Sequence, residues 1–459
     1  MRARASATPP RRRDQPPPLV ARAGRLLVAA LLLGPAVAMA AAAQAATAPG
    51  AALPRWTQLG SPTVGRAPAP PVWDVVALPS DPSLLLAATS TGVLRSTDDG
   101  THWAATGLRG LVWTVAVGPD GHTLFAGTRA HGVWRSTDLG LTWGADNRGL
   151  QVRNVRAIAV ARDAIVLGTS AGVYVSGTGI GWGQEGLTQV SVSSVAVIAD
   201  RPLGVLAGAD GGALAQGALF RDLSVTTGGG WQDLSQGDPG AVPVWSVGAG
   251  PRARGAADPP LFEGNLHGLY RSTDGGATWE QLTLAAGVTW GVTTLAVDPR
   301  NPSVLYAGGD NGGSSGGGLQ RSTDGGSEWT PLQIGLPAAA GGDVVSLTAL
   351  ATQPLTVLAA VYEPGARIGA VARLLDRTVP APVALAPAPG GGPVKVVVVT
   401  APPTPVPTRP APDSHRGSGL PRVPSWAPPM LAAAVLLLFF GIILGVRRRR
   451  ARLEVEGPP

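Results

Sequence analysis

The sequence predicts an all-β fold: a seven-bladed β-propeller of four-stranded blades whose N-terminal strand closes the last blade, followed by a Pro-rich stalk and a C-terminal transmembrane helix. Three observations carry this. One nine-residue segment recurs along the chain, and short apolar strands separated by Gly, Pro and Asp turns fill the intervals between its copies. Only 14% of the 459 residues are charged, while Gly (64) and Pro (44) are abundant. That balance favours many short strands over long surface helices.

The recurrent segment runs from Arg95 through Ser96, Asp98 and Gly100 to Trp103, and it returns at Arg135–Trp143, Arg271–Trp279 and Arg321–Trp329. Ser136, Ser272 and Ser322 again stand two residues before Asp138, Asp274 and Asp324, and Gly140, Gly276 and Gly326 stand two residues after them. A fifth copy, Ser224–Trp231, carries Thr226 in place of Asp, and a sixth, Ser176–Trp182, is one residue short. This is hairpin-turn chemistry: Ser and Asp side chains accept backbone N–H bonds, and Gly supplies a positive φ. Trp103, Trp143, Trp279 and Trp329 are then expected to open the next strand and to pack between neighbouring sheets.

First strands begin near Val72, Val112, Val155, Val192, Val244, Val292 and Val344, one for each blade. The last unit ends near Asp376 and lacks both the motif and a following Trp strand. Ahead of the first unit, however, the segment from Arg55 and Trp56 to Leu59 matches the post-motif strand from Thr278 and Trp279 to Leu282. The N-terminal strand is therefore expected to complete blade 7, which removes an exposed sheet edge. Residues 55–376 supply 322 residues, or 46 for each blade.

The Ser-x-Asp-x-Gly-x-x-Trp frame resembles the Asp-box, or BNR repeat, of sialidases, sortilin-type receptors, family 74 xyloglucanases and photosystem II stability/assembly factors. The fuller blade text, with Arg-Ser-Thr-Asp-Gly-Gly before Trp279 and Trp329, is most similar to the photosystem II assembly factor and sortilin-like group. This resemblance implies the propeller fold over residues 55–376 and leaves activity open, because fold does not fix function.

The flanks set the expected topology. An Arg-rich start, Arg2 to Arg25, precedes an apolar run from Leu26 to Ala43, so residues 1–48 read as a signal peptide or, uncleaved, an N-terminal anchor. The apolar run Met430–Val446 is followed by Arg447–Arg450, the pattern of a membrane span with residues 447–459 in the cytoplasm. Between propeller and span, residues 377–429 are rich in Pro, Ala and Val and read as a semi-rigid stalk. The expected protein sits in the cell membrane, by one C-terminal span and a second if the first segment is kept, with its propeller extracytoplasmic.

The net charge of +7 belongs to these flanks. Residues 1–25 hold seven Arg and one Asp, and residues 447–456 hold five Arg and two Glu, which leaves 24 basic against 26 acidic residues elsewhere. A near-neutral middle speaks against a nucleic-acid partner. With no Cys, disulfides, thiolate metal sites and Cys nucleophiles are excluded.

No catalytic constellation is legible. The identical turn context of Asp98, Asp138, Asp274 and Asp324 spreads these acids over four blades, where a hydrolase needs them converged on one bond. No ligand spacing links the five His, no loop resembles a calcium loop, and no cofactor cradle is present. What remains is a surface. Ligands of propellers commonly meet the face opposite the motif turns, where Arg129, His131, Arg148, Arg153, Asn265, His267, Asp310 and Asn311 are expected. Trp73, Trp113, Trp245 and Trp290 recur at the starts of innermost strands, as an aromatic platform or as interblade packing. The expected function is a non-enzymatic binding or assembly module for a protein or glycan partner, with a divergent cell-surface glycosidase as the alternative.

Overall fold

A computed structural model describes residues 53–63, 68–210, 218–227, 229–235, 242–285, 291–310, 318–336, 342–364 and 366–386, with the backbone of 399–400. Its strands form seven antiparallel sheets. Blade 1 comprises Val72–Leu78, Asp81–Thr89, Gly92–Ser96 and Ala104–Arg109, and blade 2 Val112–Val117, Leu124–Thr128, Val133–Ser136 and Gly144–Ala145. Blade 3 comprises Val155–Val160, Ile165–Thr169, Gly172–Ser176 and Gly183–Gln184, and blade 4 Val192–Asp200, Leu203–Ala209, Ala218–Asp222 and Gln232–Asp233. Blade 5 comprises Val244–Ala249, Leu261–Asn265, Gly268–Ser272 and Glu280–Leu282, and blade 6 Gly291–Asp298, Asn301–Asp310, Leu319–Ser322 and Thr330–Pro331. Blade 7 takes Asp343–Leu350, Leu355–Glu363 and Ile368–Asp376 from the end of the repeat region and Trp56–Gln58 from its start.

That last pairing closes the ring. Trp56 lies opposite Leu374 and Gln58 opposite Ala372, so the N-terminal strand covers an edge that would otherwise present unpaired N–H and C=O groups. The first strands pack side by side around the ring, blade 7 against blade 1 included. Every sequence-derived blade start falls at or one residue after the first residue of an observed strand.

The core is divided by blade boundaries. Among the described residues, seven apolar clusters each join two adjacent blades, and each holds the Trp that opens one fourth strand. Trp103 packs with blade 7 residues Leu358 and Val371, and Trp56 with blade 6 residues Val304 and Leu319. The sequence assigned Trp a place between sheets, and the structure fixes the partner as the preceding blade.

Close blade approach also requires glycine. A Cβ on Gly208 in blade 4 would lie 2.6 Å from the Val244 side chain of blade 5, and one on Gly308 in blade 6 would lie 2.7 Å from Val344 of blade 7. The apolar first-strand residue of one blade thus occupies the space that a side chain would take on its neighbour.

Residues Arg377–Ala386, the start of the expected stalk, lie on the propeller. Val383 N–H donates to Arg300 C=O at 3.2 Å, Arg254 N–H to Ala384 C=O at 2.9 Å and Ala386 N–H to Arg252 C=O at 2.8 Å. The segment thus uses both N–H and C=O groups on the turns between first and second strands of blades 5 and 6. Val399–Thr400 adds a fifth strand to blade 4, antiparallel to Ser194–Val195. The expected N-terminal segment 1–48, span 430–446 and tail 447–459 lie outside the described residues. Among the described residues no helix is long and apolar enough to cross a membrane.

Candidate functional site

The order of strands gives the ring two faces. Turns between first and second strands share one face with the motif turns; first-strand starts and second-strand ends share the other. The motif acids are spent on their own turns. Ser96 Oγ donates to Asp98 at 2.8 Å, Gly100 N–H donates to Ser96 Oγ at 2.9 Å, and His102 N–H donates to Asp98 at 2.9 Å. The same set recurs at Asp138, Asp274 and Asp324. Gly100, Gly140, Gly276 and Gly326 all have positive φ. The His102 N–H and side chain hold Asp98 down to about 2, and the Thr142 hydroxyl and N–H hold Asp138 to about 2.

Three of the recurring Arg residues, Arg95, Arg271 and Arg321, reach into the next blade. Arg95 Nε donates to Leu139 C=O of blade 2 at 2.8 Å, and Arg271 reaches Gly325 C=O of blade 6. Blade 7 has no motif, and Asp376 takes over. It accepts from Tyr306 Oη at 2.6 Å and Arg321 at 2.7 Å. Against its burial, Tyr306 and Arg321 keep the Asp376 carboxyl below the usual carboxylate range.

The opposite face differs from blade to blade. Trp73 stands 5.8 Å from Trp113 and 5.1 Å from Tyr362, ring centre to ring centre, so three aromatic residues line up across blades 2, 1 and 7. Trp113 is 8% exposed, and its Nε1–H donates to Asn154 of blade 3 at 3.1 Å. Trp245 rests on blade 6, where a Cβ on Gly291 would lie 2.3 Å from its ring. Each described member of the Trp set therefore makes an interblade contact, while Trp73 and Trp245 stay half-buried. Trp290 and Asn311 lie outside the described residues.

The polar candidates divide in the same way. His131 and Arg153 meet at the second turn of blade 2, where Gly132 N–H donates to Arg153 C=O at 2.8 Å and Asn147 to His131 C=O at 3.0 Å. Arg129 follows the second strand of that blade and is exposed, as is His267 at the corresponding turn of blade 5. Asn265 is wholly buried, bonded to Glu263 and to His267 N–H, and serves its turn. Arg148 lies elsewhere: its C=O accepts from Trp182 N–H at 2.8 Å, and its guanidinium faces Gly181 in the turn of blade 3.

Asp310 ends the second strand of blade 6 and reaches Asp343, which opens the first strand of blade 7 opposite Tyr362. Burial first, and then the charge and hydrogen bond of Asp310, push Asp343 up to about 7. Arg156 occupies the place that Trp73 and Trp113 hold in their blades, and it pairs with Asp210 and Ser191 of blade 4. Asp343, Tyr362, Arg156 and Asp210 are absent from the sequence-derived set. Alignment of blades on their first-strand valines would have exposed Arg156, which follows Val155 as Trp73 follows Val72 and Trp113 follows Val112.

No family model and no curated protein matches the chain. Solved structures do share its fold. A family 74 xyloglucanase from Xanthomonas campestris is 18% identical, with a TM-score of 0.49 over 69% of this chain and 55% of that one. This chain thus spans about half the length of that enzyme. YCF48 from Cyanidioschyzon merolae is 16% identical, with a TM-score of 0.48 over 70% of this chain and 98% of that one. YCF48 bound to D1 peptide is 14% identical, with a TM-score of 0.51 over 72% and 98%. These are likenesses of fold alone.

Proposed function

We propose that this chain is a non-enzymatic binding or assembly module of the Asp-box kind, most similar to the photosystem II assembly factor and sortilin-like group. It is carried on a C-terminal membrane span with its propeller outside the cell and a short tail inside. It presents the face opposite its motif turns to a protein or glycan partner. One observation carries this reading: the four motif acids are consumed by their own turns, whereas the opposite rim gathers Tyr362, Trp73 and Trp113 beside Asp310 and Asp343. Aromatic faces with few polar groups around them are what recognition surfaces are made of.

The glycosidase alternative would draw on that same acid pair. Asp310 and Asp343 are in hydrogen-bond contact, while the two carboxyls flanking a glycosidic bond stand roughly 5 to 9.5 Å apart. The contact supports binding over hydrolysis.

Crosslinking of the full chain in its native membrane tests the proposal, with parent compared against Trp73→Ala and Trp245→Ala. Loss of one selective partner with retained folding is the expected result. Turnover of a sialoside or xyloglucan by the purified chain, abolished by Asp310→Asn, would overturn it.

A further inference from the structure

Asp210 and Asp310 hold matching places, each one residue past the partner of its blade's first-strand valine, which is Ala209 opposite Val192 and Gly309 opposite Val292. Asp210 meets a cation, Arg156 of blade 3. At blade 7 the encounter is of the opposite kind, since Asp343 meets the carboxyl of Asp310. Asp343 is only 9% exposed, and its Oδ1 has no hydrogen-bond donor. Burial already raises Asp343, and two carboxyls in contact resist joint ionisation further until a proton or a cation is supplied. Independently of the acids, the register sets Asp343 opposite Tyr362, whose ring begins the run to Trp73 and Trp113. Carboxyl acceptors and aromatic faces select the same ligand chemistry, a cation bearing N–H donors on an apolar stem.

We propose that the rim over blades 6, 7 and 1 binds a lysine or arginine side chain of a partner protein, its charged head donating to Asp343 and Asp310 and its stem lying along Tyr362 and Trp73. This rests on the reading of the propeller as a binding module and narrows its partner to a basic segment. Anionic ligands are repelled by the same pair.

The test uses the full chain in detergent and fluorescence anisotropy of a labelled pentalysine peptide, with pentaglutamate and a neutral cello-oligosaccharide as competitors. Asp343→Asn is expected to weaken pentalysine binding by about tenfold or more. Asp163→Asn, which changes an exposed acid of the turn face paired with Arg201, should leave binding unaltered. If Asp343→Asn fails to fold, Asp310→Asn reads the same contact. Equal binding by parent and both rim variants, an equal loss in Asp163→Asn, or displacement by the oligosaccharide would each overturn the proposal. If crosslinking still recovers a partner that depends on Trp73, the binding-module reading survives that failure; if it does not, both fall.

Discussion

Ser346 Oγ donates to Asp74 Oδ1 at 2.7 Å, joining blade 7 to blade 1 across 272 residues of chain. The same oxygen accepts from Val75 N–H at 2.8 Å, and Oδ2 accepts from Val115 N–H at 3.0 Å and Thr114 Oγ1 at 3.1 Å in blade 2. One wholly buried carboxyl therefore fastens three blades where the ring closes. Asp74→Asn turns one acceptor into a donor that faces donors, so a loss of about 2–4 kcal/mol is expected in chemical denaturation, against about 1 kcal/mol for Ser346→Ala. A loss for Asp74→Asn no larger than that of Ser346→Ala would remove Asp74 from this role.

Burial pushes Asp74 up from 3.8 to about 6. The folded state then holds this proton more tightly than the unfolded chain, so the contribution is full below about 4 and is lost as pH rises through 6. Asp98 and Asp138, held to about 2, act the other way: their contribution is present above about 4 and is lost as pH falls toward 2. Denaturation midpoints measured across pH should show a steeper decline from 4 to 6 than Asp74→Asn shows, because in that variant Asp343, pushed up to about 7, still contributes. A parallel decline in both proteins would assign it to other groups.

Gly208→Ala would place a methyl group 2.6 Å from Val244 across the boundary of blades 4 and 5. Thermal unfolding should report a loss of about 1–3 kcal/mol from overpacking. Gly144→Ala, with open space around the added carbon, should be neutral within about 0.5 kcal/mol.

Trp103→Phe removes an indole N–H that donates to Gly60 C=O at 2.9 Å and to Gly100 C=O at 3.1 Å, within the cluster joining blades 7 and 1. The lost bonds and the smaller ring should together cost about 2–4 kcal/mol in equilibrium unfolding. A smaller penalty than that of Trp245→Phe would mean that the post-motif Trp contributes less to the ring than the rim Trp.

A chain ending at residue 376 lacks Thr378, which shares Arg321 and Asp376, and lacks the backbone bonds to Arg252, Arg254 and Arg300. Compared with a chain ending at residue 386, it should melt lower and be cut sooner by protease near Arg300. Identical melting would make the Arg377–Ala386 segment passive.

The propeller and its blade starts were legible because their signals are local. Ser, Asp and Gly of each turn bond within four residues of one another, so the pattern survives in the sequence as a short word. Trp56 was readable for the same reason: its strand repeats the text around Trp279. The site was legible only in pieces. Trp73, Trp113 and Asp310 were singled out by recurrence or position, whereas Tyr362 and Asp343 carry no local mark. Arg148 meets Trp182 of blade 3, a contact between blades that its own loop does not mark.

By itself, the sequence determined a repeated hairpin whose apolar strands cannot be buried alone, and hence a ring of such units. Tertiary structure alone decided which residues meet at the seam and on the rim. Asp74 with Ser346, Asp310 with Asp343 and Tyr362 with Trp73 stand 272, 33 and 289 positions apart. Their proximity depends on strand register and ring closure, which are properties of the packed whole and leave no trace in local spacing.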